Sequence, residues 1–371
     1  MNTATFSFPT TIRFGVGAVR GIPGELERLG ITRPLIVTDP GVVETDAFAA
    51  LRSALAGRGS LFSEVHPNPV EEDVEAASQE FINRACNGII AFGGGSALDV
   101  GKAVRLRVRR PEQTLREFDF ELDWSGLPAC IAIPTTAGTG SEVGRSAVII
   151  VGGRKEVFFH PSLLPNVVIL DPDLTRGLPA KLTAATGADA LTHCIESFTS
   201  PTFHPFCDGI ALEGIRLIGE ALPRAVRDGT DLKARGTMQI AAAMGGVAFQ
   251  KDLGAAHSLA HPLSSVCGLH HGLANALCLP HVMEFNAERK PGLYRRVGIA
   301  LDLDRTDDDA TIDAVRTLLA GIGLGGGLRA HGVNESHFEK LVAQATADTC
   351  HRTNPVPVTT ADLQELYERA M

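Results

Sequence analysis

The sequence predicts an α/β, Rossmann-like N-terminal domain over residues 1–175 and an all-α C-terminal domain over 176–371. Three observations carry this. Short apolar runs alternate with helical spacings up to Leu170 and then stop. Two of the runs end in glycine-rich turns, Gly93-Gly94-Gly95-Ser96 and Thr135-Thr136-Ala137-Gly138-Thr139-Gly140-Ser141. Beyond Leu178 the apolar residues recur at helical period and strand-like runs vanish.

Pro34-Leu-Ile-Val-Thr-Asp39 is a short apolar run ending in an acid. Residues 74–84 have helical spacing, and Gly88-Ile-Ile-Ala-Phe92 reads as a buried strand that stops at three glycines. Cys130-Ile-Ala-Ile-Pro134 is another strand. Residues 146–151, Gly152-Gly153 and 155–159 read as a β-hairpin. Val167-Val-Ile-Leu170 is the last strand before Asp171-Pro172. Helical patterns then take over, through Ala188, Leu191, Ile195 and Phe198 and again over 208–224. Pro201, Pro205, Pro223, Pro262, Pro280 and Pro291 punctuate them. The glycine-rich stretch 321–327 reads as a helix C-cap and turn.

The chain has 371 residues, enough for two cores, and a net charge of −9. Its one basic cluster, Arg105-Leu-Arg107-Val-Arg109-Arg110, reads as a solvated helix end, so nucleic acid is not an expected partner. No apolar run approaches the ~20 residues that span a bilayer, so no membrane is expected either. The start, Met1-Asn-Thr-Ala-Thr-Phe-Ser-Phe-Pro9, lacks the charged and apolar regions of a signal peptide. Seven scattered cysteines without a CxxC pair suit reduced thiols, and a cytoplasmic protein is the expectation.

The chemistry-bearing residues fall in two groups. Gly93, Gly94, Gly95 and Ser96 follow a strand and open a helix, where free N–H groups and the helix dipole favour a phosphate. Thr135 and Thr136 begin a second such turn, and the ends of parallel strands are where α/β sheets bind ligands. Asp39 either accepts the hydroxyls of an adenosine ribose, favouring NAD over NADP, or caps a helix. In the second half Asp189 and His193 stand four apart, on one face of a helix. His257 and His261 repeat that spacing, and His270 and His271 precede Gly272. One carboxylate with two or three imidazoles is a mixed nitrogen and oxygen site for Fe²⁺ or Zn²⁺ rather than Mg²⁺ or Ca²⁺. Spacing leaves open which of His257, His261, His270 and His271 bind. His66, His160, His204, His281, His331 and His337 read as ordinary histidines.

Through its motifs the chain resembles the iron-containing alcohol dehydrogenases, the metal-dependent branch of the dehydroquinate synthase-like fold. Phe14-Gly-Val-Gly17, Pro67-Asn68-Pro69, the run Gly93 to Lys102 and Pro134 to Val143 carry the likeness. So do Leu163-Leu-Pro165, Asp171-Pro172, Leu182-Thr-Ala-Ala-Thr-Gly187, Asp189-Ala-Leu-Thr-His193 and His257-Ser-Leu-Ala-His261-Pro-Leu. The resemblance implies metal ligands at Asp189, His193, His257 and His271, with His261 near the nicotinamide and not a ligand; an imidazole there is the candidate for relaying the alcohol proton to solvent. It implies cofactor contacts from Asp39, Asn68, Gly93, Gly94, Gly95, Ser96, Thr135, Thr136, Thr139 and Lys155, and Asp99 of the same glycine motif is placed with them. His270 stands where the family more often has proline.

The chain also resembles 4-hydroxybutyrate dehydrogenases, through Ser141-Glu-Val-Gly-Arg145, Gly153-Arg-Lys155, Phe249-Gln-Lys251, Gly268-Leu-His-His-Gly272 and Cys350-His-Arg-Thr-Asn-Pro355. This implies NAD-linked hydride transfer with a short hydroxy acid or aldehyde acid, Fe²⁺ or Zn²⁺, and a homodimer. Arg145 would pair with the substrate carboxylate, but strand alternation sends Arg145 and Ser146 to opposite faces, so one of them sees the site. His351 and Arg352 are further basic residues for that role. The alternative is a short-chain alcohol or diol dehydrogenase, of lactaldehyde or 1,2-propanediol type. Remoter readings are a non-redox cyclase of the same fold and a non-catalytic nucleotide-binding protein.

Overall fold

The computed structural model describes Phe8 and residues 10–371; the signal-peptide reading of the N-terminus falls, Phe8 apart, outside the described residues. The chain divides into two compact units. One comprises Phe8–Thr136 and Gly140–Leu178, and the other Ala137–Thr139 and Pro179–Met371.

The first unit is built on a parallel sheet. Its strands are β1 (Thr11–Phe14), β2 (Pro34–Val37), β3 (Ser60–Phe62), β4 (Gly88–Gly93) and β5 (Ala129–Pro134). A hairpin, β6 (Ser146–Val151) and β7 (Arg154–Phe159), precedes the last sheet strand, β8 (Val167–Leu170). The sheet order is β1-β8-β5-β4-β2-β3. Both faces of its central strands are covered. Leu35, Val37, Ile89, Ala91, Cys130 and Ala132 enter one core, while Ile36, Ile90, Phe92, Ile131 and Ile133 enter the other. A strand buried on both faces reads as a continuous apolar run, which is how β2, β4, β5 and β8 showed in the sequence. The edge strands β1 and β3 lack that signature: β1 is largely exposed and β3 is three residues long.

Asp171 locks the end of this sheet. Its carboxylate accepts from the N–H groups of Gly17 (3.0 Å) and Val19 (3.1 Å), so two of the recognisable motifs are structural partners. The basic cluster differs from expectation. Arg105, in the helix Gly95–Arg109, is 3 % exposed and donates to the carbonyls of Pro128 (2.8 Å) and Leu163 (2.9 Å). It is an internal strut; a buried guanidinium must find carbonyls to replace water.

The second unit is helical. Ala180–Thr199 is buried without interruption from Thr183 to Ser197 and is flanked by Pro205–Arg227, Leu232–Ala248 and His271–Arg289, with Ala255–Cys267 packed on the last of these. A helix wrapped on all sides has no polar stripe, so only part of it stood out by period. Pro223, Pro262 and Pro280 lie inside helices rather than between them. Each removes one backbone hydrogen bond, a local cost that packing around these long helices outweighs. The glycine stretch follows the helix Asp308–Gly321, as read. Among the described residues no helix is long and apolar enough to cross a membrane.

Candidate active site

At the carboxyl ends of β2, β4 and β5 the sequence-predicted nucleotide residues converge. Gly93 has φ +141°, a conformation L side chains avoid, and a Cβ there would come 3.0 Å from the Ala97 Cβ and 3.4 Å from Asp39 Oδ2. Asp39 therefore faces the glycine turn while its other oxygen caps the next helix, accepting from Val42 N–H (2.9 Å). The two readings of Asp39 are compatible, one per oxygen. Gly94 is the N-cap of the helix Gly95–Arg109, and Thr136 lies 3.7 Å from the place of its missing Cβ. Thr135 N–H donates to Gly93 O (2.9 Å). The Ser96 hydroxyl donates to Pro67 O (2.6 Å), which draws the exposed Asn68 to the turn. Lys155 pairs with Ile150, whose N–H donates to Pro69 O (2.8 Å), so the hairpin adjoins the same loop.

Asp99 departs from the cofactor set. One oxygen accepts from the Ser141 hydroxyl (2.5 Å), with the Lys102 ammonium 3.1 Å away, and the other accepts from Val148 N–H (3.0 Å). Lys102 is 1 % exposed and also donates to the carbonyl of Ser146. This buried latch fastens the helix to the hairpin, and a carboxylate spent there is not turned toward a phosphate. Thr139 belongs to the helical unit, unlike Thr135 and Thr136. Arg145 precedes β6 and lays its guanidinium over the Phe159 ring, 5.2 Å from the centroid. Ser146 opens β6, paired with Phe159.

In the helical unit the ligand-type residues form one cluster. Asp189 and His193 share a face of the helix Ala180–Thr199. His257 comes from Ala255–Cys267, and His271 opens His271–Arg289. The last helix can approach because position 272 is glycine: a Cβ there would lie 1.9 Å from Ala185 O. Asp189 Oδ1 then stands 3.5 Å from His271 Nε2, 3.7 Å from His257 Nε2 and 3.9 Å from His193 Nε2. Ligand atoms about 2.1 Å from a tetrahedral ion are about 3.4 Å apart, close to the spacing Asp189 Oδ1 keeps with each imidazole; Asp189, His257 and His271 lie within 4.8 Å of one another, and His193 stands just outside that group. The His193 and His257 rings stack at 4.8 Å.

Charge and tautomer suit the same purpose. Glu196, one further turn along the Asp189 helix, accepts from His257 Nδ1 (2.5 Å) and Ala256 N–H (2.7 Å). That leaves Nε2 as the nitrogen that could hold a metal. Burial pushes the His257 pKa down, but hydrogen bonds and charge from Asp189 and Glu196 carry it up to about 9. Burial pushes His193 down to about 4, only partly offset by Asp189, so its imidazole is neutral. Asp189 is buried, which raises its pKa, yet the surrounding His193, His271 and His257 hold it well below the usual carboxylate range. Asn275, one turn after His271, donates to Asp189 Oδ1 (2.8 Å) and lies 3.2 Å from both the His257 and His271 Nε2 atoms.

His261 stands beside this group and not within it. Its ring stacks on His271 at 5.2 Å, and its Nδ1 lies 2.7 Å from Asp348 Oδ2. The side chain is 31 % exposed, which gives a proton on it an outlet to solvent. His270 is an exposed N-cap, one residue too early to join the cluster. His160 and His204 cap helices, each accepting at Nδ1 from a backbone N–H.

Comparison with known proteins agrees with this architecture. Residues 9–172 match the family described as iron-containing alcohol dehydrogenase, and residues 183–371 match the Fe-containing alcohol dehydrogenase family, C-terminal. The chain belongs to the iron-containing alcohol dehydrogenase family. It is 41 % identical to 4-hydroxybutyrate dehydrogenase of Cupriavidus necator over 98 % of each chain. It superposes on the crystal structure of a 1,3-propanediol oxidoreductase with a TM-score of 0.95, at 32 % identity, over 99 % of this chain and all of that one. Sulfoacetaldehyde reductase of Bifidobacterium kashiwanohense, solved in complex with NAD⁺, gives 0.90 at 30 % identity over 100 % and 99 %. The chain is thus an oxidoreductase of the dehydroquinate synthase-like fold, acting as an alcohol dehydrogenase on small molecules.

Sequence reasoning assigned no role to three residues of the site. Glu196 is three residues from His193 and Asn275 four from His271, both same-face spacings that a search beyond ligand types would find. Asp348 lies 87 residues from His261 and carries no local signal.

Proposed function

We propose that the protein is an NAD-linked, metal-dependent dehydrogenase that interconverts a short hydroxy acid, such as 4-hydroxybutyrate, with its aldehyde acid. The observation that carries this is the set of three imidazole Nε2 atoms at 3.5–3.9 Å from one Asp189 oxygen. Asp189, His193, His257 and His271 would hold the ion, Fe²⁺ by family and Zn²⁺ by the same donor chemistry. Bound there, the metal would supply a Lewis acid that lowers the pKa of the alcohol oxygen. Asp189 offsets the ion's charge, and Glu196 keeps His257 in the ligating tautomer. His261 takes the hydroxyl proton and passes it to solvent while the carbinol hydride goes to the nicotinamide. The Gly93–Ser96 turn and Thr135, Thr136 and Thr139 cradle the pyrophosphate, with Asn68 and Lys155 beside them. Asp39 Oδ2 accepts from the adenosine ribose, which selects NAD over NADP.

The relative's printed activity supports the hydroxy acid, with Arg145, His351 and Arg352 the basic residues proposed for its carboxylate. The second reading is an uncharged alcohol or diol, and one observation favours it: the Arg145 guanidinium is engaged by Phe159. The test is an anaerobic panel of 4-hydroxybutyrate, 1,2-propanediol and butanol with NAD and NADP, on protein of measured metal content. Fastest NAD reduction with 4-hydroxybutyrate is expected. Fastest reduction with an uncharged alcohol would favour the second reading, and none with any alcohol would sink both.

A further inference from the structure

We propose that Asp348 is a positioning residue that fixes His261 as the Nδ1–H tautomer, leaving Nε2 bare to accept the substrate's hydroxyl proton. The inference rests on the reading of His261 as the proton carrier. His261, Asp348 and Cys350 bring three ligand-type atoms within 4.8 Å of one another, and a second metal is the first thing such a group suggests. The distances argue otherwise. His261 Nδ1 and Asp348 Oδ2 are 2.7 Å apart, well inside the about 3.4 Å between two ligands on a tetrahedral ion. Burial and the neighbouring Asp348 and Glu196 charges also raise the Cys350 pKa well above that of an ordinary thiol, which disfavours the thiolate a metal would need. The pair is a hydrogen bond.

That bond has a fixed direction. Asp348 Oδ1 accepts from the Ser258 hydroxyl (2.8 Å) and from Cys350 N–H (2.8 Å). The Ser258 oxygen in turn accepts from His351 N–H (2.8 Å), and its hydroxyl proton goes to the carboxylate at 2.8 Å rather than to His351 Nδ1 at 3.4 Å. Burial raises the Asp348 pKa, but the bonds from His261, Cys350 and Ser258 outweigh it and hold the carboxylate well below its usual range. An ionised carboxylate only accepts, so His261 must donate through Nδ1. The same device acts one turn earlier, where Glu196 takes the Nδ1 proton of His257. Two histidines of one helix are each oriented by a carboxylate from another segment, one toward the metal and one toward the proton.

The step balances. The substrate O–H bond breaks and an N–H bond forms at His261 Nε2, giving an imidazolium whose charge Asp348 offsets. The hydride leaves the carbinol carbon for NAD⁺, and the products are the carbonyl compound, NADH and one proton that His261 releases to solvent.

The test uses Asp348→Asn and Asp348→Ala in the zinc-loaded full chain. An asparagine amide would donate to Nδ1 and force the opposite tautomer, whereas alanine leaves the ring free to equilibrate. Nitrogen-15 histidine NMR, with the His261 signals identified by their loss in His261→Ala, is expected to show Nδ1–H in the wild type and Nε2–H in D348N. Turnover of D348N should fall about 100-fold or more, with KM for NAD and zinc content unchanged. D348A should fall less than D348N. A merely structural role predicts the reverse order, because asparagine keeps the shape and alanine does not. An unchanged His261 tautomer in D348N, or D348A slower than D348N, overturns the proposal. If the wild type reduces NAD with no alcohol, the functional reading fails, while the NMR result still decides the tautomer.

Discussion

The two candidate sites, one in each unit, are made of different material, and each is half of what the proposed reaction needs. At the end of the sheet, function is offered by backbone: Gly93 at φ +141°, Gly94 at a helix N-cap, and side chains that close the turn by bonding carbonyls. In the helical unit it is offered by side chains alone, three imidazoles from three helices around Asp189 Oδ1. A backbone site tolerates many side chains but not a change of conformation. A side-chain site tolerates conformational slack but not a change of atom type.

The largest expected effect comes from changing an atom type. Asp189→Asn keeps shape and removes the charge that three imidazoles share, so retained metal should fall by more than ~100-fold, beyond what an outer residue controls. Affinity of the apo protein for NAD, measured by calorimetry, should not change. Glu196→Gln alters only the support of His257, and a loss of ~10–100-fold in metal affinity is expected. If Glu196→Gln lost metal as completely as Asp189→Asn, Glu196 would have to be counted among the ligands.

The contrast is sharpened from the other side by Gly93→Ala. Its Cβ would meet Ala97 at 3.0 Å and Asp39 Oδ2 at 3.4 Å, at a φ costing an L residue about 1–3 kcal/mol. NAD affinity should weaken about tenfold if ~1.4 kcal/mol of that cost falls on the bound turn. Metal content should stay at the wild-type level. Loss of metal in this variant would mean that the two halves are not separable.

The same division explains what could be read from sequence. Strands β2, β4, β5 and β8 were legible because both faces of each are buried, and β1 and β3 were not because an edge strand needs no continuous apolar run. Asp189 and His193 were legible because helical spacing alone puts them on one face. His257 and His271 were separable from His261 and His270 only by family pattern, since all are imidazoles at similar spacing. Asp99 was not separable by sequence, because a carboxylate in a glycine motif looks the same whether it meets a ligand or bonds Ser141 and Val148 as it does here. Asp348 meets His261 only through tertiary packing, and no periodicity spans such a gap.

The smallest expected effect is a pH dependence that belongs to the side-chain half alone. In metal-free protein His257 has a pKa of about 9, against 6.5 for an ordinary histidine, because Asp189 and Glu196 outweigh burial. A raised folded pKa stabilises fully below the unfolded value and is lost as pH rises through the folded one. Metal-free protein should therefore lose stability between pH ~6.5 and ~9. Metal-loaded protein carries the ion on Nε2 in place of that proton and should not. His193, pushed down to about 4, stays neutral throughout this window and does not offset the trend. The gap in Tm between loaded and metal-free protein should widen with pH, at ~2–4 °C per kcal/mol for a unit of this size. Glu196→Gln removes one of the two charges that raise His257, so the widening should shrink in that variant. A gap constant from pH 6.5 to 9 would show that the cluster holds no exchangeable proton at His257, and an undiminished slope in Glu196→Gln would assign the shift to Asp189 alone.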